Sequence, residues 1–114
     1  MSTGPQDIPE ITPTELKERL DAGDRPVLLD VRESNEWEIG NLSEHGAVLR
    51  PMSDIYDWKS EFDPGDDIVV YCRTGGRSGW IVRDLVDAGF EHVRNLQGGI
   101  NAWSADVDPS IPRY

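Results

Sequence analysis

The sequence predicts an α/β sandwich, a mainly parallel sheet with helices on both faces, and two observations carry that reading. Short apolar runs alternate along the chain with segments of helical spacing, the order that wraps helices around a parallel sheet. The run Ile68-Val69-Val70-Tyr71 is apolar at every position rather than at every second one, as a strand covered on both sides requires. A length of 114 residues suits one domain with a single modest core.

Residues 1–7 carry no basic cluster and no apolar run, so they read as a flexible N-terminal segment without a secretion signal. Ile8-Pro9-Glu10-Ile11 reads as a short edge strand, because proline lacks the N–H that an inner strand must donate. Thr12-Pro13-Thr14-Glu15 then opens a helix, with Thr12 as N-cap, Pro13 at the first helical position and Glu15 closing a capping box. Leu16 and Leu20 lie one turn apart on its inner face, and Gly23 ends it. Val27 to Asp30 is the next strand, which delivers Asp30 and Arg32 to its end; a turn-capping Asp with a surface-paired Arg competes there with a functional role.

Ser34 to Ile39 forms a short capped helix ending at Gly40, and Val48-Leu49 a short strand. Met52 to Phe62 reads as an irregular helix in which Trp58 and Phe62 pack four residues apart. Pro64-Gly65 turns the chain into the central strand, after which Trp80, Ile81, Leu85, Val86 and Ala88 recur at helical spacing up to Gly89. Trp80 is assigned to the core, with a place beside the preceding loop as the alternative. His92 to Leu96 is the last strand, and Gly98-Gly99 turns into a short helix carrying Trp103. The folded domain is expected to span residues 8–104, and the polar, proline-bearing segment 105–114 to lie extended on the surface.

Composition narrows the function classes. Twenty-two acidic against 11 basic residues give a net charge of −11, which repels nucleic-acid phosphates. The longest apolar run, Ile68 to Cys72, is too short to cross a membrane. One cysteine cannot form an internal disulfide, so a reducing cytoplasm is the expected location. Only Lys17 and Lys59 are lysines; such an acidic, lysine-poor surface suits a salt-rich cytoplasm and ordinary solubility alike. Cys72, His45 and His92 are too scattered for a metal site, and no cofactor is expected. His45 reads as an exposed loop histidine rather than a site residue.

Against that acidic body stands a basic loop. Cys72 lies at the carboxyl end of the central strand, where ligand sites of open α/β sheets occur. Behind it come Arg73, Thr74, Gly75, Gly76, Arg77 and Ser78. Gly75 and Gly76 permit a curl with positive φ that aims several N–H groups at one point. A helix start at Ser78 or Gly79 adds the positive end of a dipole, and Arg73 and Arg77 add full charges. In such surroundings a thiol is expected to fall from a pKa of about 8.5 into the range of roughly 3.5–7.5. Cys72 is the candidate nucleophile in an anion cradle; a small buried hydrophobe is the competing reading. Cysteine phosphatases place an Arg six positions after the Cys to fork onto phosphoryl oxygens, whereas here that position is Ser78 and Arg77 comes one residue early.

The loop Cys72-Arg73-Thr74-Gly75-Gly76-Arg77-Ser78 resembles the active-site loop of the rhodanese family of sulfurtransferases. Asp30-Val31-Arg32 resembles the family's upstream motif, and Leu96-Gln97-Gly98-Gly99 through Trp103 its downstream one, so the similarity covers about Ile11 to Trp103. The chain departs from the family at Gly40-Asn41-Leu42-Ser43-Glu44-His45-Gly46-Ala47, with Asn41 in a histidine's place and two residues added. The resemblance implies a rhodanese-like three-layer sandwich and sulfur transfer through a Cys72 persulfide. It implies that the loop binds a small anionic donor such as thiosulfate and that Asp30 and Arg32 buttress it. A cysteine desulfurase or a ubiquitin-like sulfur-carrier protein is the implied partner, because the last residues resemble the ends of rhodanese domains fused to adenylating enzymes. The alternatives are a phosphatase or arsenate reductase using the same cradle, a non-catalytic docking module, and a redox sensor.

Overall fold

In the computed structural model, which describes residues 7–114, five strands form one sheet in the order β1-β5-β4-β2-β3, and every pairing is parallel. The strands are β1 (Glu10–Ile11), β2 (Val27–Asp30), β3 (Val48–Leu49), β4 (Ile68–Tyr71) and β5 (Val93–Leu96). The helices are α1 (Pro13–Asp21), α2 (Ser34–Ile39), α3 (Ile55–Trp58), α4 (Gly76–Asp87) and α5 (Gly99–Asp106). Most of the expected flexible N-terminal segment lies outside the described residues. No helix among the described residues is long and apolar enough to cross a membrane.

Strand β4 explains the layering. Its side chains alternate across the sheet: Ile68, Val70 and then Cys72 face a cluster with Trp58, Ile81, Val82 and Leu85, while Val69 and Tyr71 face one with Leu16, Leu20, Ile100 and Trp103. Helices α3 and α4 therefore cover one face, and α1 and α5 the other. A strand with both faces buried cannot alternate in polarity, which is why β4 reads as continuously apolar. Each fully buried aliphatic side chain contributes roughly 1.5–3 kcal/mol.

Helix α1 starts as its sequence dictates: the Glu15 N–H donates to Thr12 Oγ1 at 3.1 Å, and the Thr12 N–H donates back to Glu15 Oε1 at 2.9 Å. The edge strand is shorter than expected, since Pro9 has no N–H to give; its carbonyl still accepts the Asn95 N–H at 2.9 Å. The segment from Met52 breaks into two 3-10 turns around α3. Trp58 is fixed there by an edge contact to Phe62, at 6.1 Å between ring centroids, and by its Nε1–H donating to Pro51 O at 2.8 Å.

Two expectations about α4 need correction. The helix begins at Gly76 rather than Ser78 or Gly79. Trp80 is 53% exposed and not in the core, because Ile81, Val82 and Leu85 already fill the inner stripe and a neighbour about 100° round the axis faces outward. Trp80 instead lines an open groove of about 470 Å3 with Met52, Ile55 and Ile81. Helix α5 continues to Asp106, two residues into the segment expected to be extended. The residues beyond it fold back: Ile111 is buried, its carbonyl accepts the Ser104 hydroxyl at 2.5 Å, and Asn101 Nδ2 donates to Tyr114 O at 3.2 Å.

Candidate active site

The chain leaves β2 toward β3 on one side and returns through β4 to β5 on the other, so the sheet's direction of growth reverses between β2 and β4. Such a reversal opens a crevice at the carboxyl ends of the strands. Asp30 ends β2 and Cys72 directly follows β4 at this crevice. A cavity of about 710 Å3 lies at the opposite strand ends beside Asp67 and His92, and neither cysteine nor serine lines it.

Cys72 is 2% exposed, and three donors surround its sulfur. The Gly75 N–H lies 3.1 Å from Sγ, the Ser78 N–H 3.4 Å and the Ser78 hydroxyl 3.3 Å. The curl that aims them depends on Gly75 alone, at φ +107°; Gly76, expected to share it, is already the first residue of α4. An extra charged sulfur formed on Cys72 would meet the same converging donors.

Ser78 has a second partner. Its Oγ lies 2.5 Å from Asn95 Oδ1, while Asn95 Nδ2 donates to Gly75 O at 3.1 Å. The amide's orientation makes Oδ1 an acceptor, so the single Ser78 proton goes either to Asn95 or to the sulfur. Asn95 thus links two residues of the cradle from the neighbouring strand.

The other side of the loop is tied to α5. Cys72 O accepts the Ile100 N–H at 2.9 Å and Arg73 O accepts the Asn101 N–H at 3.1 Å. These bonds turn the loop's carbonyls away from the sulfur, where they would repel negative charge. The approach requires Gly99: a Cβ there would sit 2.4 Å from Arg73 O, at a φ of +64°.

Around the rim the charges form one chain. Arg32 is fully buried and holds the Asp30 carboxylate through Nε at 3.0 Å and Nη2 at 2.7 Å. Its Nη2 also reaches Gly40 O at 2.7 Å, and its Nη1 donates to the Tyr114 hydroxyl at 3.0 Å. That hydroxyl donates to Glu36 Oε2 at 2.6 Å. Glu36 in turn receives both Arg77 nitrogens, at 2.7 and 2.8 Å. The Arg77 fork, with help from Tyr114, holds the Glu36 carboxyl down at about 2. Burial works against the Arg32 charge, and Asp30 more than offsets it, so Arg32 stays protonated above its ordinary range.

The structure therefore gathers Cys72, Gly75 and Ser78 directly around the sulfur. Arg73 and Thr74 are exposed on the loop's outer side, and the Arg73 guanidinium stacks over the Tyr114 ring at 4.9 Å. Arg77, expected to reach toward an anion, is engaged by Glu36 instead. Asp30 and Arg32 sit beneath the rim, with Arg32 over Tyr71 at 5.7 Å, the residue that precedes Cys72. His45, expected to be exposed, is half-buried and stands edge-on to Trp103 at 5.6 Å. Nothing local in the sequence marks Glu36, Asn95 or Tyr114 as site residues, except that Asn95 is a polar residue at a buried position of β5. No group of three or more His, Cys, Asp or Glu residues among the described ones could hold a metal ion.

A buried cysteine ringed by converging donors at the carboxyl end of a parallel sheet is an arrangement suited to nucleophilic group transfer. The profile of the rhodanese-like domain matches residues 12–106, and the chain belongs to that family. It is 38% identical over 106 residues to the probable adenylyltransferase/sulfurtransferase MoeZ of Mycobacterium tuberculosis, covering 91% of this chain and 26% of that protein. It is 35% identical over 103 residues to the putative sulfurtransferase YtwF of Bacillus subtilis, covering 90% of this chain and 97% of that one. Among solved structures, a rhodanese-like domain protein from Staphylococcus aureus aligns with a TM-score of 0.79 at 29% identity, over 94% of this chain and 99% of the other. The chain spans only 31% and 26% of the first curated relatives it matches. The family and the names of these relatives support a sulfurtransferase at family level.

Proposed function

We propose that the chain transfers sulfane sulfur through a persulfide on Cys72. The observation that carries this reading is the ring of three donors at 3.1–3.4 Å around Sγ, which suits a sulfur that must be negative both as attacking thiolate and as terminal persulfide. The Cys72 thiolate attacks the outer sulfur of thiosulfate; the S–S bond of the donor breaks and sulfite leaves with the electron pair. A protonated persulfide donor reacts in the same way and leaves as a thiolate. A nucleophilic acceptor then takes the outer sulfur and returns Cys72 as thiolate; cyanide serves in vitro, with thiocyanate as the product.

A ubiquitin-like sulfur carrier as acceptor fits the adenylyltransferase/sulfurtransferase names of several relatives, and a cysteine desulfurase is the protein donor proposed with it. The phosphatase reading finds less support, since Arg77 comes one residue early and is engaged by Glu36. Intact-mass measurement after thiosulfate tests the proposal. The wild type should gain one sulfur atom and lose it to cyanide, and Cys72→Ser should gain none. No gain from thiosulfate or from an alkyl persulfide would reject it.

A further inference from the structure

The two loop arginines are not equivalent. Arg77 is spanned on both nitrogens by Glu36, whose side chain is 14% exposed against 39% for Arg77. Arg73 makes no ion pair among the described residues and rests on the ring of Tyr114. The Tyr114 hydroxyl donates to Glu36 while accepting from Arg32, so the carboxylate is anchored from behind as well as from in front. A flexible surface pair would open readily toward an incoming anion. Here the Glu36 carboxylate is held at four points, by both Arg77 nitrogens, the Tyr114 hydroxyl and the Glu33 N–H, and a donor must approach an Arg77 whose charge is already cancelled.

We propose that Glu36 is a specificity-determining residue: by cancelling Arg77 it disfavours small dianionic sulfur donors such as thiosulfate relative to donors of lower charge such as alkyl persulfides. The inference rests on the persulfide reading of Cys72 and deepens it by naming the donor class. Thiosulfate brings two negative charges to a protein of net charge −11 and expels a sulfite dianion, so it needs both cations; a protonated persulfide arrives uncharged and expels a thiolate monoanion, so it needs less compensation. The Glu36 carboxyl is held down at about 2, so the cancellation persists throughout the neutral range. Tyr114 acts as a positioning residue that keeps Glu36 aimed at Arg77.

The test separates charge at the sulfur from sulfur transfer itself. Alkylation of Cys72 by iodoacetate and by iodoacetamide compares an anion with a neutral reagent of nearly equal size, and requires no sulfurtransferase activity. In Glu36→Gln, which keeps an acceptor for the Glu33 N–H at 3.2 Å, and in Glu36→Ala, the iodoacetate-to-iodoacetamide rate ratio should rise about 3- to 10-fold at low salt and fall back as salt is added. Glu38→Gln removes an exposed carboxylate from the same helix and should leave the ratio unchanged. In Glu36→Gln, kcat/KM for thiosulfate should rise about 10-fold, and for 2-hydroxyethyl persulfide about 3-fold.

An unchanged alkylation ratio in both Glu36 variants, or an equal rise in Glu38→Gln, overturns the inference even where wild type loads sulfur. An equal response of the two donors also overturns it. Should the ratio rise while neither donor loads Cys72, the charge control at the sulfur stands and the persulfide reading fails.

Discussion

The Ser78 hydroxyl is shared by two acceptors, and that sharing sets what its removal does. Ser78→Ala keeps the two backbone donors to Sγ and loses the third, which a charged sulfur uses more than a neutral thiol. A hydrogen bond to a charged group is worth roughly 1.5–3 kcal/mol, so sulfur loading should slow about 10- to 100-fold with the fold intact. Stopped-flow loading beside a thermal melt checks this. Asn95→Ala acts differently. It leaves the Gly75 carbonyl with the Gly79 N–H and gives the whole Ser78 proton to Sγ, whereas Ser78→Ala takes the donor from the buried Asn95 Oδ1, and an unpaired buried group costs roughly 1–3 kcal/mol. Urea unfolding should therefore show a loss of about 1–3 kcal/mol for Ser78→Ala, and sulfur loading should be slowed less by Asn95→Ala than by Ser78→Ala, because the three donors to Sγ remain.

Among elements, the loop between β4 and α4 was the most legible in the sequence, because its cysteine, glycine, arginines and serine are neighbours in the chain. The same locality made the capping box of α1 readable from Thr12 and Glu15. What escaped was the set of partners brought by folding: Glu36 reaches Arg77 across 41 positions, Asn95 reaches Ser78 across 17 and Tyr114 reaches Glu36 across 78. No local pattern encodes such pairs, so Arg77 read as an open cation. Trp80 lies outside its expected place for a related reason, since helical spacing gives the width of a stripe and only the packed sheet fixes its edge. Trp80→Gln should change stability by no more than about 0.5 kcal/mol, as for other exposed positions. Gly99→Ala should be costly. Its methyl would strike the backbone of Arg73 in a left-handed conformation, for a loss of roughly 2–4 kcal/mol and a displaced cradle, visible as a lower melting temperature with reduced loading.

For the whole molecule, the rim network couples charge to stability. Glu36 binds its proton less readily folded, at about 2, than at the ordinary 4.5, so the unfolded chain holds more protons across that interval. Its contribution is complete above pH about 4.5 and disappears as pH falls through about 2. A urea-unfolding series across that range should show a shallower decline for Glu36→Gln than for wild type. Glu15 and Asp108, also lowered, add slopes of the same sign in both proteins.

The solitary, 2%-exposed cysteine also governs how long cargo is retained. In the proposed cycle no second thiol of this chain can attack the loaded sulfur and discharge it into an internal disulfide. Leakage must then wait for a collision with another molecule small enough, or shaped well enough, to reach beneath the rim. The lifetime of the loaded form becomes a property of the surrounding solution, long in dilute clean buffer and shortened in proportion to the concentration of competent acceptors.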